Sequence, residues 1–438
     1  MANGTQTQEN FFGTLKISAF SPTVGRPAPD TAVSIRESGS SRLIFAGLTD
    51  SEGQLAPVIL PAPSELISQT PPGEVQILPP SADQLISELN EGNMGDISPA
   101  KEPQPFSSFD VTAVSAEGER TEINGVQVYQ NSVSLQSIIF PGQDDEIDIP
   151  DPNIMGGFPE KIPEADQKPM PPAQGEVVLP QPVIPETIVV HDGVPGDRNA
   201  ENYYVDFQDY IKNVASSEIF TTWPREAIKA NVIAIISFTL NRVYTEWYRG
   251  KGYDFTVTNS TAYDQAFVYG RNVFSEIDQI VDEVFTIYIT REDATQPLLA
   301  QYCDGIRVNR SGWLSQWGSK QLADSGYDAL RILRTFYGRD IVLREAQRVQ
   351  GIPVSFQGTL SRGSRGPQVR VLQQQLNGIS DNFPLIPKLS VDGIFGPKTE
   401  QAVKVFQQIF NLPQSGIVDF ATWYRISDIY VAVKKLAE

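Results

Sequence analysis

Residues 209–243, DYIKNVASSEIFTTWPREAIKANVIAIISFTLNRV, carry a pattern from which the rest of the chain can be placed. Beyond Pro224 the apolar residues fall on nearly every face of a helix rather than along one stripe, which marks a helix surrounded by protein or by lipid. Lys229, Asn231 and Asn241 break the run between Ala227 and Val243, so it falls short of the roughly 18–20 continuous apolar residues that span a bilayer. The segment reads as a central buried helix, with Thr221 or Thr222 as candidate N-cap and Pro224 in the first turn. No membrane span is expected.

Downstream, a second helix fits VFSEIDQIVDEVFTIYI (273–289), where Ile277, Ile280, Val281 and Val284 recur at helical spacing, and a third fits GYDALRILRTFYG (326–338). Between them QPLLAQYCDGIRV (296–308) reads as strands, so residues 196–352 are expected to form a mixed α+β domain. Upstream, residues 1–140 read as β structure. Leu15, Ile17 and Ala19 alternate in GTLKISAF (13–20), Val33 and Ile35 in AVSIRES (32–38), and RLIFAGLTDSEGQ (42–54) carries a DSEG turn. FDVTAVSAEG (109–118) and GVQVYQNSVSLQSIIF (125–140) follow, the latter with period 2 at Val126 and Val128 and again at Val133 and Leu135. A Pro- and Ser-rich loop, about 61–105, with a possible short helix at SADQLISELNEG (81–92), interrupts what is expected to be a small antiparallel β-sandwich.

Residues 141–195 hold 12 of the 33 prolines, mixed with acids as in GQDDEIDIPDP. Proline removes backbone donors and favours extended chain, so this stretch reads as a partly polyproline connector and as the segment a protease could bind in extended form. The formal charge of -19 leaves no basic footprint for nucleic acid or anionic lipid. One His and one Cys exclude more: a Ser-His-Asp or Cys-His nucleophile would have to use His191, and a catalytic zinc draws on a ligand pool that is nearly empty here. Zinc amidases and zinc peptidases are therefore not expected, nor is any disulfide within the chain. The opening MANGTQTQENFFGTL lacks a basic region followed by an apolar run, so no ordinary secretory signal is expected.

Residues 353–438 contain a weak internal repeat. Val369, Leu372 and Leu376 follow one Gly-containing turn, Thr399, Ala402, Val403 and Phe406 follow another, and GIVDFATW opens a last helix. Three short helices around one small core are expected. This pattern, with Gly393 and Gly396 suited to a tight turn, resembles the peptidoglycan-binding type 1 domain, and the resemblance implies binding to cell-wall glycan or its stem peptides.

The middle region is similar to the SpoIID/LytB family of peptidoglycan lytic transglycosylases, through residues 209–243, TNSTAYDQAF (258–267), QYCDG (301–305) and LSQWGSKQLADSGYDALRILRTFYG (314–338). The resemblance implies that Glu218, just before the Trp-Pro helix, is the catalytic acid. Such an enzyme needs one carboxylic acid that first protonates the glycosidic oxygen and then takes the proton of the C6 hydroxyl. Ile219, Phe220 and Trp223 beside Glu218 in the chain could desolvate it and favour its protonated form. Asp264, Gln265, Tyr302, Ser315 and Gln316 lie in matching motifs and are expected to position sugar hydroxyls or the oxocarbenium. Trp317 reads as core rather than a sugar platform. Many relatives carry Cys and His residues near QYCDG that can hold a structural metal. Here Cys303 has no such neighbour in sequence and Arg310 lies in the intervening loop, so no metal and no cofactor is expected, and Cys303 reads as a buried or lightly exposed thiol.

The full order of parts resembles clostridial germination-specific spore cortex-lytic enzymes. That resemblance implies a zymogen of the spore cortex and coat region, activated when a subtilisin-like germination protease cuts between leader and catalytic part, with cortex peptidoglycan as substrate. Two alternatives stay open: a wall-binding scaffold with an inert catalytic-like domain, and an amidase acting between muramic acid and L-Ala.

Overall fold

The computed structural model describes residues 11–21, 26–71, 104–140, 144–155, 182–245, 247–248, 251–292, 294, 296–349 and 359–434. In chain order its strands are β1 (Phe11–Phe20), β2 (Ala32–Glu37), β3 (Leu43–Leu48), β4 (Val58–Ala62), β5 (Ser107–Val114), β6 (Arg120–Val128), β7 (Val133–Ile139), β8 (Asp145–Asp148), β9 (Val183–Pro185), β10 (Thr187–His191), β11 (Asn202–Asp206), β12 (Val257–Thr258), β13 (Val273–Phe274), β14 (Ile287–Arg291), β15 (Tyr302–Cys303), β16 (Leu314–Ser315), β17 (Ile341–Glu345) and β18 (Gln347–Val349). Its helices are α1 (Leu66–Gln69), α2 (Phe207–Glu218), α3 (Arg225–Tyr244), α4 (Ser275–Val284), α5 (Gln316–Asp324), α6 (Ala329–Tyr337), α7 (Pro367–Ser380), α8 (Pro397–Ile409) and α9 (Phe420–Lys434). The chain divides into two compact units. One comprises Met1–Gly156, Ile219–Ile228 and Val268–Gln279, the other Gly157–Glu218, Lys229–Phe267 and Ile280–Glu438.

In the first unit, sheets of order β3-β2-β5-β6-β8 and β13-β7-β1-β4 share one core that includes Leu15, Ile17, Val33, Ile35, Leu60, Phe109, Val111, Ile123, Val126 and Val128. Alternation puts these side chains inward on each strand. On β6 the phase slips by one residue between Ile123 and Val126. Gly125 makes this possible: it sits at φ +83°, donates its N–H to Asp110 Oδ1 at 3.1 Å, and has no room for a β-carbon, which would come within 2.6 Å of Ile149 O.

Three expectations are corrected here. The sandwich is not purely antiparallel, because β1 runs parallel to β7 and β6 parallel to β8. Strand β4, in the VILPA stretch that leads into the expected loop, pairs with β1 through Phe11↔Ala62 to Leu15↔Val58. On β7 the buried positions are Ser134, Gln136 and Ile138 rather than Val133 and Leu135. Their polar groups are engaged, Ser134 Oγ donating to Gln127 O at 2.7 Å and Gln136 Nε2 to Gly270 O at 3.0 Å. The helix expected at 81–92 lies outside the described residues. Of the connector, β8, β9 and the whole of β10 are sheet rather than polyproline spacer, and residues 141–143 and 156–181 lie outside the described residues.

The same unit takes in the chain just after Glu218. Trp223 Nε1 donates to Ser68 O at 2.9 Å, Ser68 Oγ and Thr222 Oγ1 are 2.7 Å apart, and the Tyr129 ring lies 6.0 Å from Phe220 and 5.1 Å, edge-on, from Phe274. The Thr221 and Thr222 side chains are therefore not the caps of α3. That helix starts at Arg225, and Pro224 O accepts the N–H groups of Ala227 and Ile228 at 2.9 and 3.1 Å.

In the second unit, α3 is buried at every residue from 230 to 243. Its polar side chains are clamps rather than interruptions. Asn231 Nδ2 donates to Ser319 Oγ and Asn241 Nδ2 to Pro297 O, each at 2.7 Å, and Ser237 Oγ accepts Ile289 N–H at 2.7 Å. Among the described residues no helix is long and apolar enough to cross a membrane. The expected helix 273–289 is shorter than its apolar periodicity, since its ends pair as β13 and β14. The expected strands in 296–308 reduce to β15.

At the C-terminus α7, α8 and α9 enclose a core of Val369, Leu372, Leu376, Ala402, Val403, Phe406, Val418, Trp423 and Ile426. The repeat is visible as a polar device used twice. Gln373 Oε1 accepts Gly393 N–H at 2.9 Å while Nε2 reaches Thr399, and Gln407 Oε1 accepts Gly416 N–H at 2.9 Å while Nε2 reaches Thr422. Gly393 and Gly416 have φ of +74° and +71°, whereas Gly396 is extended and caps α8.

Candidate active site

Glu218 is the last residue of α2 and is fully buried. Its Oε1 accepts the Ala266 N–H at 2.8 Å and the Tyr302 hydroxyl at 2.9 Å, and its Oε2 accepts Gln316 Nε2 at 3.2 Å. Four separated motifs thus converge on one carboxylate. Burial, and then the Glu218 carboxylate beside it, push the Tyr302 phenol well above its ordinary value, so it keeps its proton. Gln316 Oε1 is buried and finds no hydrogen-bond partner among the described residues. The Phe220 ring packs near Tyr129 and the Trp223 indole donates to Ser68 O.

Asp264 and Gln265 sit one step further out. The Asp264 carboxylate pairs with Arg242 Nε at 2.9 Å and accepts the Tyr248 hydroxyl (2.7 Å), Thr258 N–H (2.9 Å) and Thr258 Oγ1 (2.8 Å). Both partners of the pair are 1 % exposed or less. The Asp264 carboxylate is thus held by neighbours within the chain, and it braces the turn that presents Ala266 N–H. Gln265 Oε1 accepts from Tyr210 (3.0 Å) and Thr239 (2.7 Å), and its Nε2 donates to Ile235 O at 3.2 Å, so it ties that turn to α2 and α3. Burial first, then Asp264 and Glu218, raise the Tyr210 phenol well above its ordinary value.

Ser315 caps α5, its Oγ accepting Gly318 N–H at 2.9 Å, and so sets the direction of Gln316. Trp317 is buried core. Cys303 is a buried thiol on β15, in no disulfide, and lies in register with Ser315. Among the expected residues, the structure brings Tyr302 and Gln316 to Glu218 directly and gives Asp264, Gln265 and Ser315 positioning contacts. Tyr210, Arg242 and the Ala266 amide had not been anticipated. Tyr210 could have been found, since it stands two helical turns before Glu218 on one face of α2.

Comparison with known proteins follows this division. Residues 197–290 match the Stage II sporulation protein family model, and residues 365–426 match a putative peptidoglycan binding domain. The zinc D-Ala-D-Ala carboxypeptidase of Streptomyces albus G is 40 % identical over 72 residues, which are 16 % of this chain and 27 % of that protein. The chain thus spans about a quarter of the length of this curated relative. A solved catechol 1,2-dioxygenase from Acinetobacter sp. ADP1, inhibited by bound mercury, shares 15 % identity over 33 % of this chain and 55 % of its own, with a TM-score of 0.15. That superposition bears no argument. Two separate family matches fit a chain that acts at peptidoglycan.

Proposed function

We propose that the chain is a peptidoglycan lytic transglycosylase in which Glu218 is both general acid and general base. The observation that carries this reading is the buried Glu218 carboxylate held by Ala266, Tyr302 and Gln316. Protonated Glu218 gives its proton to the oxygen linking N-acetylmuramic acid to N-acetylglucosamine as the C1–O bond breaks. The resulting carboxylate takes the proton of the C6 hydroxyl as O6 bonds to C1, leaving a 1,6-anhydro product without water. Three donors suit the carboxylate form. In the acid form Oε2 can carry the proton while Oε1 keeps its two donors, and both the Tyr302 hydroxyl and, by an amide flip, Gln316 can accept as well as donate. Gln316 Oε1 is a buried acceptor available to a sugar hydroxyl.

The substrate proposed is spore cortex peptidoglycan, retained by residues 353–438. The enzyme is proposed to be a zymogen of the cortex and coat region, with a leader in residues 1–140, activated by a subtilisin-like germination protease that cuts within 141–195. The test is mass spectrometry of cortex fragments before and after limited proteolysis. Anhydromuramic ends should form after cleavage, and Glu218→Gln should lower the rate by about 10²–10⁴-fold with an unchanged melting temperature. New reducing ends would mean hydrolysis. Free stem peptides or released D-Ala would mean amide or peptide cleavage and sink the proposal.

A further inference from the structure

Residues 304–315 leave the Glu218 site and return to it. Tyr302 donates to Oε1 and Gln316 to Oε2, and between them β15 and β16 pair in parallel, Tyr302 with Leu314 and Cys303 with Ser315. The neck is tight: Gly305 has φ of +83° and a β-carbon there would lie 1.8 Å from Ser315 Oγ. Inside it the Asp304 carboxylate, 1 % exposed, accepts the N–H groups of Ile306 (3.1 Å), Arg307 (3.2 Å) and Val308 (2.9 Å), and Gly305 N–H donates to Val308 O at 2.9 Å. The loop is therefore preset rather than slack. Arg307, Asn309 and Ser311 are exposed on it, and the half-buried Arg310 guanidinium lies 5.4 Å from the ring centre of half-buried Trp313.

A chain of net charge -19 thus carries two guanidiniums and an indole on a rigid loop whose two ends both hold Glu218. Guanidinium groups pair with carboxylates through two parallel hydrogen bonds, and indole faces suit sugar rings. Peptidoglycan strands bear short peptides with free carboxylates. We propose that residues 305–313 are a recognition loop for peptide-bearing strands, in which Arg307 and Arg310 take stem-peptide carboxylates and Trp313 lies along a sugar ring. The proposal rests on peptidoglycan being the substrate of the Glu218 site.

Binding and turnover test it separately. In Glu218→Gln protein with the connector cut, adding Arg307→Ala and Arg310→Ala should weaken binding of a soluble disaccharide-tetrapeptide by about tenfold and weaken binding of the peptide-free oligosaccharide less. Arg310→Lys in place of Arg310→Ala should recover part of the loss. With Glu218 intact and the connector cut, the double variant should hold kcat and raise KM for peptide-bearing strands more than for peptide-stripped strands. Equal binding of the tetrapeptide ligand by both proteins, or an equal loss for both ligands, overturns the loop assignment. Absence of any turnover in the parent protein counts against the lytic reading, and the binding comparison still decides the loop.

Discussion

At Glu218 the three hydrogen-bond donors are not equivalent. The Ala266 amide can only donate, whereas Tyr302 and Gln316 can each donate or accept, and Tyr302 is one of two donors on Oε1, so Tyr302→Phe should lower kcat by about 10–100-fold with little change in KM, a fall milder than that of Glu218→Gln. Steady-state kinetics on cortex fragments check this. Asp264 acts through structure. Asp264→Asn leaves Arg242 buried beside a neutral amide and should cost about 3–5 kcal/mol of stability, read by denaturant unfolding. Glu218, Tyr302 and Gln316 were legible because each is a distinctive side chain in a recognisable motif. The Ala266 donor was not, because a backbone N–H carries no mark of the side chain attached to it. Asp264 looked like a ligand for the same reason that it is buried: a carboxylate in a polar motif, whose cation lies one element away at Arg242.

Elements were legible where one period ran unbroken, and misread where polar partners or tertiary pairing cut across it. The inward faces of β1, β2 and β5 follow simple alternation. On β6 the slip at Gly125 could not be seen, since it depends on Asp110 of β5 and on Ile149 just past the end of β8. Gly125→Ala should destabilise the first unit by about 1–3 kcal/mol, from backbone strain alone, and thermal unfolding measures it. In the C-terminal bundle, the Gln373 side chain, followed by the Ile394 N–H, holds Asp392 below its ordinary value of 3.8. A carboxyl with a lowered folded value contributes fully above its unfolded value and loses that contribution as pH falls through the folded one. Protection against hydrogen exchange in residues 360–426, taken relative to the intrinsic rate at each pH, should therefore fall as pH drops below about 4, and less steeply in Asp392→Asn.

At the scale of the molecule, boundaries drawn from composition follow the chain, whereas packing does not. The first unit closes on hydrogen bonds between residues more than a hundred positions apart, such as Gln136 with Gly270 and Ser68 with Trp223, and no local pattern announces them. A chain expressed without residues 1–156, unlike one cut in the connector with both pieces present, would leave Phe220, Trp223 and Phe274 without the Tyr129 and Ser68 that pack on or bond to them. It should bind a hydrophobic dye and aggregate, and a truncated protein that stays monomeric and dye-negative would contradict this. The pairing of β7 with β13 also bears on inheritance. A recombination that joined this catalytic segment to another leader would supply a foreign edge to Val273 and a foreign acceptor to the Trp223 indole. The leader and the segments 219–228 and 268–279 must change in step between lineages, and swapped leaders from distant relatives should yield insoluble chimaeras while swapped C-terminal bundles, whose core is their own, should not.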